Sequence, residues 1–199
     1  IAARQKVNPT NYKVEGDWSG AAFHLVAAAI TGEVTLLNLN LKSAQADRKI
    51  INALETSGAK LMAVENGISV CKNQLNAFQF DATHCPDLFP PLAVLAACCK
   101  GISEIKGVSR LKNKESDRGI SIQSEFKKLG IEVEIRDDIL LVHGGKVKGG
   151  KVDSHNDHRM AMALAVLGLV SESSLEIDGA DAVTKSYPGF FEDFENLTN

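Results

Sequence analysis

The sequence predicts an α/β fold of three β-α-β-α-β-β repeats in a pseudo-three-fold arrangement, with buried helices inside and small sheets outside. Three observations carry that prediction. An Asp opens an Ala-rich segment three times, at Asp17, Asp87 and Asp157, with spacings of 87 − 17 = 70 and 157 − 87 = 70. The segments Ala21 to Ile30, Leu92 to Cys99 and Met160 to Val170 are nearly all apolar, as buried helices are. The units mix helix with sheet, and their period is too long for the common solenoids.

Each element has its own local reason. Short strands lead in at Tyr12 to Glu15, Ala77 to Phe80 and Lys151 to Asp153. The three Asp residues stand where a side-chain oxygen can cap free N–H groups of the first helices. The apolar, β-prone stretches Val34 to Leu39, Ile102 to Ile105 and Ser174 to Ile177 come next. Second helices start near Ala46-Asp47-Arg48 and Ser116-Asp117-Arg118, again 117 − 47 = 70 apart. The third copy offers Ser186-Tyr187-Pro188 there, with Lys185 opening the helix and Phe190 to Leu197 continuing it. Gly58 and Gly130 close the first two of these helices. Strand pairs follow, Lys60 to Val64 with Ile68 to Cys71 and Glu132 to Ile135 with Ile139 to His143, turned by Asn66-Gly67 and Asp137-Asp138. The chain is expected to be a single domain over 1–199, with units of about 12–75, 76–145 and 150–199.

Composition narrows the function. The 199 residues are 44% apolar, enough for a real core. The net charge of −3 argues against nucleic acid as a partner, so an anion site must be a local cluster. No apolar run reaches membrane-spanning length, and no signal peptide is visible. Cys71, Cys85, Cys98 and Cys99 match no zinc or CxxC spacing, and Cys98-Cys99 reads as core filler. A reducing, cytoplasmic setting and no metal are expected. The start, Ile1-Ala2-Ala3-Arg4-Gln5, lacks an initiator Met, so the chain reads as a piece of something longer.

Chemistry is concentrated in the later units. Lys114-Glu115-Ser116-Asp117-Arg118 sets cations on either side of a carboxylate. By itself that pattern also fits a solvated helix start. Asn156-Asp157-His158-Arg159 begins a very apolar helix. Arg159 there either pairs with a nearby Asp or points into a cleft to bind a carboxylate or phosphate. Lys185 falls near the same end in the repeat frame. Asp87 is either a plain cap or a functional carboxylate, with Pro86 stiffening its approach. Helix N-termini gathered at one end of the domain would attract anions.

Lys-Glu-Ser-Asp-Arg at 114–118, Asn-Asp-His-Arg-Met-Ala-Met at 156–162 and Thr-Lys-Ser-Tyr-Pro at 184–188 together resemble the 5-enolpyruvylshikimate-3-phosphate (EPSP) synthases. Glu15-Gly16-Asp17 and Cys85-Pro86-Asp87 match in order and spacing, so the resemblance covers nearly the whole chain. It implies one of two domains of an enolpyruvyl transferase, the C-terminal inside-out α/β barrel. The implied reaction moves the enolpyruvyl group of phosphoenolpyruvate onto the 5-hydroxyl of shikimate 3-phosphate and releases phosphate, with no metal or organic cofactor. It belongs to the shikimate pathway to aromatic amino acids.

By the same resemblance Asp87 and Glu115 are the catalytic proton carriers. Asp87 and Lys114 meet shikimate 3-phosphate. Arg118, Arg159 and Lys185 meet phosphoenolpyruvate, while Asp157 and His158 support the site. The implied partners are these small anions and an N-terminal domain of the same protein that carries the rest of the site. The full-length protein is expected to be a cytoplasmic monomer, and this chain alone inactive. Position 110 is Arg where some members place Asn, and Trp18 and Gly20 stand where small and Ser residues are common. The latter pair is expected to touch the approach between domains. UDP-N-acetylglucosamine enolpyruvyl transferase, which shares fold and reaction type, is the nearer alternative, and the Lys-Glu-Ser-Asp-Arg run favours the shikimate enzyme. A non-catalytic anion-binding domain on the same scaffold is the other.

Overall fold

The structure, a computed structural model, describes residues 9–112 and 114–198. Asn113 of the charged run lies outside the described residues.

The first unit contains α1 (Trp18–Thr31), β1 (Glu33–Leu37), α2 (Ile50–Ser57), β2 (Lys60–Val64) and β3 (Gly67–Cys71). The second contains β4 (Gln79–Asp81), α3 (Phe89–Ala97), β5 (Ile102–Lys106), α4 (Arg118–Lys128), β6 (Val133–Arg136) and β7 (Ile139–His143). The third contains β8 (Gly150–Asp153), α5 (His158–Gly168), β9 (Leu175–Asp178) and α6 (Phe190–Thr198).

Three sheets result, in the orders β1-β3-β2, β4-β5-β7-β6 and β8-β9. In the second and third, the lead-in strand runs parallel to the strand after the first helix, with Phe80 opposite Ile105 and Val152 opposite Ile177. A parallel pair needs a crossover, and α3 and α5 supply it. The trailing strands are antiparallel hairpins, turned through Asn66 at φ 61° and Asp137 at φ 55°. Asn and Asp tolerate that left-handed backbone, which two-residue hairpin loops require.

The three first helices pack on one another at the centre. Ala22, Ala29, Ala93, Ala96, Ala161 and Ala163 are wholly buried there, and small residues let the helices approach closely. Sheets and second helices cover this cluster from outside. α2 shows why: Ile50, Ala53, Leu54 and Ser57 are its buried residues, one stripe of an amphipathic helix. α2 and α4 end as the sequence predicts, with Gly58 at φ 94° and Gly130 at φ 80°.

Three local expectations fail. The third unit, unlike the first two, has no trailing strand pair among the described residues, which end in α6. Tyr12 to Glu15 form no strand. Tyr12 and Val14 are 79% and 74% exposed, so neither gains burial that would repay the ordering of a strand. Lys185 does not open a helix. It ends a 3-10 turn, Ala180–Lys185, and α6 begins at Phe190, after Pro188 has broken the path.

Candidate active site

The first helices of the three units begin in different ways. Asp17 caps α1, accepting from Ser19 N at 3.2 Å and Gly20 N at 2.8 Å. Asp157 caps α5, accepting from Arg159 N at 2.9 Å. Asp87 caps nothing. It sits inside a 3-10 turn, Pro86–Leu88, that precedes α3 and has no side-chain cap bond. Its carboxylate turns instead to three cations: Lys114 Nζ at 3.1 Å, Arg118 Nη1 at 2.7 Å and Arg159 Nη2 at 3.2 Å.

Arg118 is the hub. It is the first residue of α4, held there by Asp117, whose side chain accepts from Ile120 N. Arg118 is wholly buried, and a buried guanidinium needs its donors met. Nε donates to Asp157 Oδ2 at 2.7 Å, Nη1 to Asp87, and Nη2 to Glu115 Oε2 at 2.5 Å and Asp157 Oδ1 at 3.3 Å. Burial alone would weaken its hold on the proton, but Asp157, Glu115 and Asp87 outweigh this and raise its pKa. The planar fork suits this duty, because it offers donors in several fixed directions.

The carboxylates respond in kind. Burial pushes Asp87 up, yet Arg159, Lys114 and Arg118 hold it below the usual carboxylate range. Asp157, wholly buried, is likewise pushed up by burial and brought below the usual carboxylate range by Arg118 and the Arg159 N–H. Ser116 Oγ also donates to Asp157, at 3.2 Å. Both acids are therefore ionised at neutral pH.

Glu115 reaches the surface, with 40% of its side chain exposed. Its Oε1 lies 3.8 Å from Nδ1 of the buried His158, too far for a hydrogen bond, and that nitrogen has no partner. Burial, and then Arg159, push the His158 pKa down, so the ring is neutral at pH 7. Lys185 is exposed and donates to Asn156 O and Asn156 Oδ1, both at 2.6 Å.

Asp87, Lys114, Glu115, Arg118, Asp157 and Arg159 thus form one network of three carboxylates and three cations. Lys185 adds a fourth cation beside it, joined through the Asn156-Asp157 backbone. The network lies at the starts of α3, α4 and α5, where backbone partial charge favours anions. Arg159 does pair with an Asp, but with one 72 residues away rather than a neighbour on its own helix.

Asn156 and Asp47 were not singled out from sequence. Asp47 is buried and bonded to Ser19 Oγ; burial pushes its pKa up, and Asp87 adds to this. Its signal was available, since it occupies the repeat position of Asp117. Trp18 is wholly buried, so it is core rather than an approach between domains. Gly20 has a packing reason: a Cβ there would lie 3.3 Å from the Tyr187 ring.

The thiols stay outside the chemistry. Burial pushes Cys85 up to about 11 and Cys98 and Cys99 up to about 12, so these three carry no reactive thiolate. Among the described residues, Glu132, Glu134 and His143 bring three potential metal-ligand atoms within 4.8 Å of one another. They lie at the β6–β7 pair, where His143 Nε2 already meets Glu134 Oε1 at 3.1 Å.

The chain is similar to known proteins along nearly its whole length. The family model for EPSP synthase (3-phosphoshikimate 1-carboxyvinyltransferase) matches residues 1–194. A 3-phosphoshikimate 1-carboxyvinyltransferase of Clostridium perfringens (strain 13 / Type A) is 43% identical over 199 residues, 99% of this chain and 47% of that protein. One of Brachyspira hyodysenteriae is 40% identical over 200 residues, 99% of this chain and 48% of that protein. The solved EPSP synthase from Acinetobacter baumannii superposes with a TM-score of 0.85 at 30% identity, covering 98% of this chain and 48% of that one. The chain thus spans about half the length of the curated relatives it matches. With the match spanning all three repeat units and the segments that bear the network, the chain belongs to the EPSP synthase family.

Proposed function

We propose that the protein carrying this chain transfers the enolpyruvyl group from phosphoenolpyruvate to the 5-hydroxyl of shikimate 3-phosphate, and that this chain supplies one half of the site. The observation that carries the reading is Asp87, released from the capping duty of its two counterparts and set among three cations. A helix cap needs no such neighbours; a proton acceptor working on an anionic substrate does.

In this reading Lys114 and Asp87 meet shikimate 3-phosphate, and Arg118, Arg159 and Lys185 meet phosphoenolpyruvate. Arg118 begins with its donors filled by Asp87, Glu115 and Asp157. Phosphoenolpyruvate oxygens replace Asp87 at Nη1 and Glu115 at Nη2, while Asp157 keeps Nε. That exchange takes a cation from Asp87, whose proton affinity the cations had held down, and so raises it at the moment Asp87 must accept a proton. Glu115 protonates the methylene carbon, the 5-hydroxyl oxygen bonds to the adjacent carbon, and Asp87 takes the hydroxyl proton. The tetrahedral adduct then loses its phosphate, which carries away the proton held by Asp87, and Glu115 recovers the proton it gave from the new methyl group. The fixed cations stabilise charge throughout. His158, neutral and buried, supports Glu115 without competing for its proton.

The remaining contacts come from a second domain of the same protein, so this chain alone shows no turnover. Cytoplasmic residence follows the same reading. Among the described residues no helix is long and apolar enough to cross a membrane, and the four cysteines are free. Phosphate release by the full-length protein, measured with shikimate 3-phosphate and with UDP-N-acetylglucosamine as acceptors, tests the reading. Release with the sugar nucleotide alone overturns it. Glu115→Gln in that protein is expected to lower kcat by about 10²–10⁴; unchanged turnover would favour a non-catalytic anion-binding domain.

A further inference from the structure

α4 carries a second charged residue toward the same neighbour. Glu125 follows Arg118 by seven residues, two helical turns, so both lie on one face. Arg118 clasps Asp157, and Glu125 clasps the chain just ahead of it. Glu125 Oε2 accepts from Asp153 N at 2.9 Å, and Oε1 lies 2.9 Å from His155 Nε2. Its side chain is 1% exposed, an unusual place for a carboxylate on a second helix. Burial pushes its pKa up, but the Lys128 ammonium and the Asp153 N–H outweigh that and keep it ionised.

Between the two clasps lies a tight turn. Asp157 N donates to Ser154 O at 3.0 Å, and the two central residues, His155 and Asn156, have φ of 54° and 55°. Paired positive φ values mark a type I′ turn. Asn accepts that backbone readily. A His there is strained, and such strain persists only where the surroundings impose it. The turn presents what the site uses. Asn156 holds Lys185 with two oxygens at its tip. Asp157 and Arg159 follow within three residues.

We infer that Glu125 is a positioning residue: through Asp153 N–H and His155 it holds the Ser154–Asp157 turn in its left-handed form, and so sets Lys185 and Arg159 for the anionic substrate. The inference rests on the proposed reading of those two cations as phosphoenolpyruvate contacts.

Two variants of the full-length protein test it. Glu125→Gln keeps the volume but loses the charge. His155→Gly removes the partner while relieving the left-handed strain, so its Tm should hold or rise. In both, KM for phosphoenolpyruvate should rise roughly tenfold or more, since small displacements of binding groups are costly. KM for shikimate 3-phosphate should stay within about twofold, because Lys114 and Asp87 lie on other segments. His155→Gln, whose amide nitrogen reaches as far as the ring Nε2 that meets Glu125, should restore the KM. A residue with a purely structural role predicts that His155→Gly binds phosphoenolpyruvate as well as the parent or better, and that result overturns the proposal. Competitive acylation of lysine amines, without substrates, gives a readout independent of turnover. Lys185 should become several-fold more reactive in Glu125→Gln and His155→Gly once Asn156 no longer holds it. If the full-length protein fails to use phosphoenolpyruvate at all, the functional reading fails, while unchanged Lys185 labelling separately sinks the positioning role.

Discussion

The first unit and the second place equivalent repeat positions at the same end of the domain, and only one gathers opposing charges there. Gln45, Asp47 and Arg48 are the repeat counterparts of Glu115, Asp117 and Arg118, each 70 residues earlier. In the first unit the acids are met by neutral groups: Glu15 by Ser43 and Gln45, Asp47 by Ser19. Arg48 turns away and donates to Ser43 O at 3.2 Å. In the second, Arg118 is buried among three carboxylates. The scaffold therefore makes positions, and the side chains at those positions decide between a structural corner and an anion site.

Substituting the two arginines should break that comparison most visibly. Arg118→Met leaves Asp157 buried and unpaired, and denaturant unfolding should show a loss of about 3–5 kcal/mol. Arg48→Met should cost about 0.5 kcal/mol, as partly exposed changes usually do. Equal losses would mean the two corners are energetically alike.

Acid titration sharpens it next. Asp157 is held below its unfolded pKa, so its stabilisation is present above that value and is lost as pH falls toward the folded pKa. Asp47 is pushed above its unfolded pKa, so its contribution is present at low pH and lost as pH rises through the folded value. At pH 7, Asp157→Asn should destabilise clearly while Asp47→Asn should be neutral or stabilising. Below about pH 3 the difference between the variants should shrink. Denaturation midpoints across pH 2–8, a range chosen around ordinary carboxylate titration, read out both signs.

The smallest effect belongs to the plain cap. Asp17→Ala should cost about 1 kcal/mol of stability and leave phosphate release by the full-length protein within about twofold of the parent. Loss of turnover there would place the first unit inside the chemistry.

The repeat was legible because Asp17, Asp87 and Asp157 recur at one spacing before apolar helices, and burial of such helices is nearly obligatory. The β-turns and C-caps were legible because Asn66, Asp137, Gly58 and Gly130 have few other uses. The gathering of Asp87, Glu115, Arg118 and Arg159 at one end followed from the same frame. What sequence could not give was where each side chain points. Asp87 looks like its two capping counterparts until Pro86 places it inside a 3-10 turn. Arg118 looks exposed until Asp87 and Asp157 from distant segments, with Glu115 three residues before it, surround it. Tyr12 and Val14 alternate like a strand but have no surface to bury against.

The third sheet holds two strands, so β8 and β9 each keep one ladder edge without a strand partner among the described residues. Unpaired edges invite sideways growth into aggregates. Lys151 on β8 bonds to Glu176 and Asp178 on β9, each at 3.0 Å, and these charges mark the pair at its surface. A second copy approaching edge to edge would have to desolvate or crowd them. Colloidal behaviour of the isolated chain therefore depends on that small charged ladder.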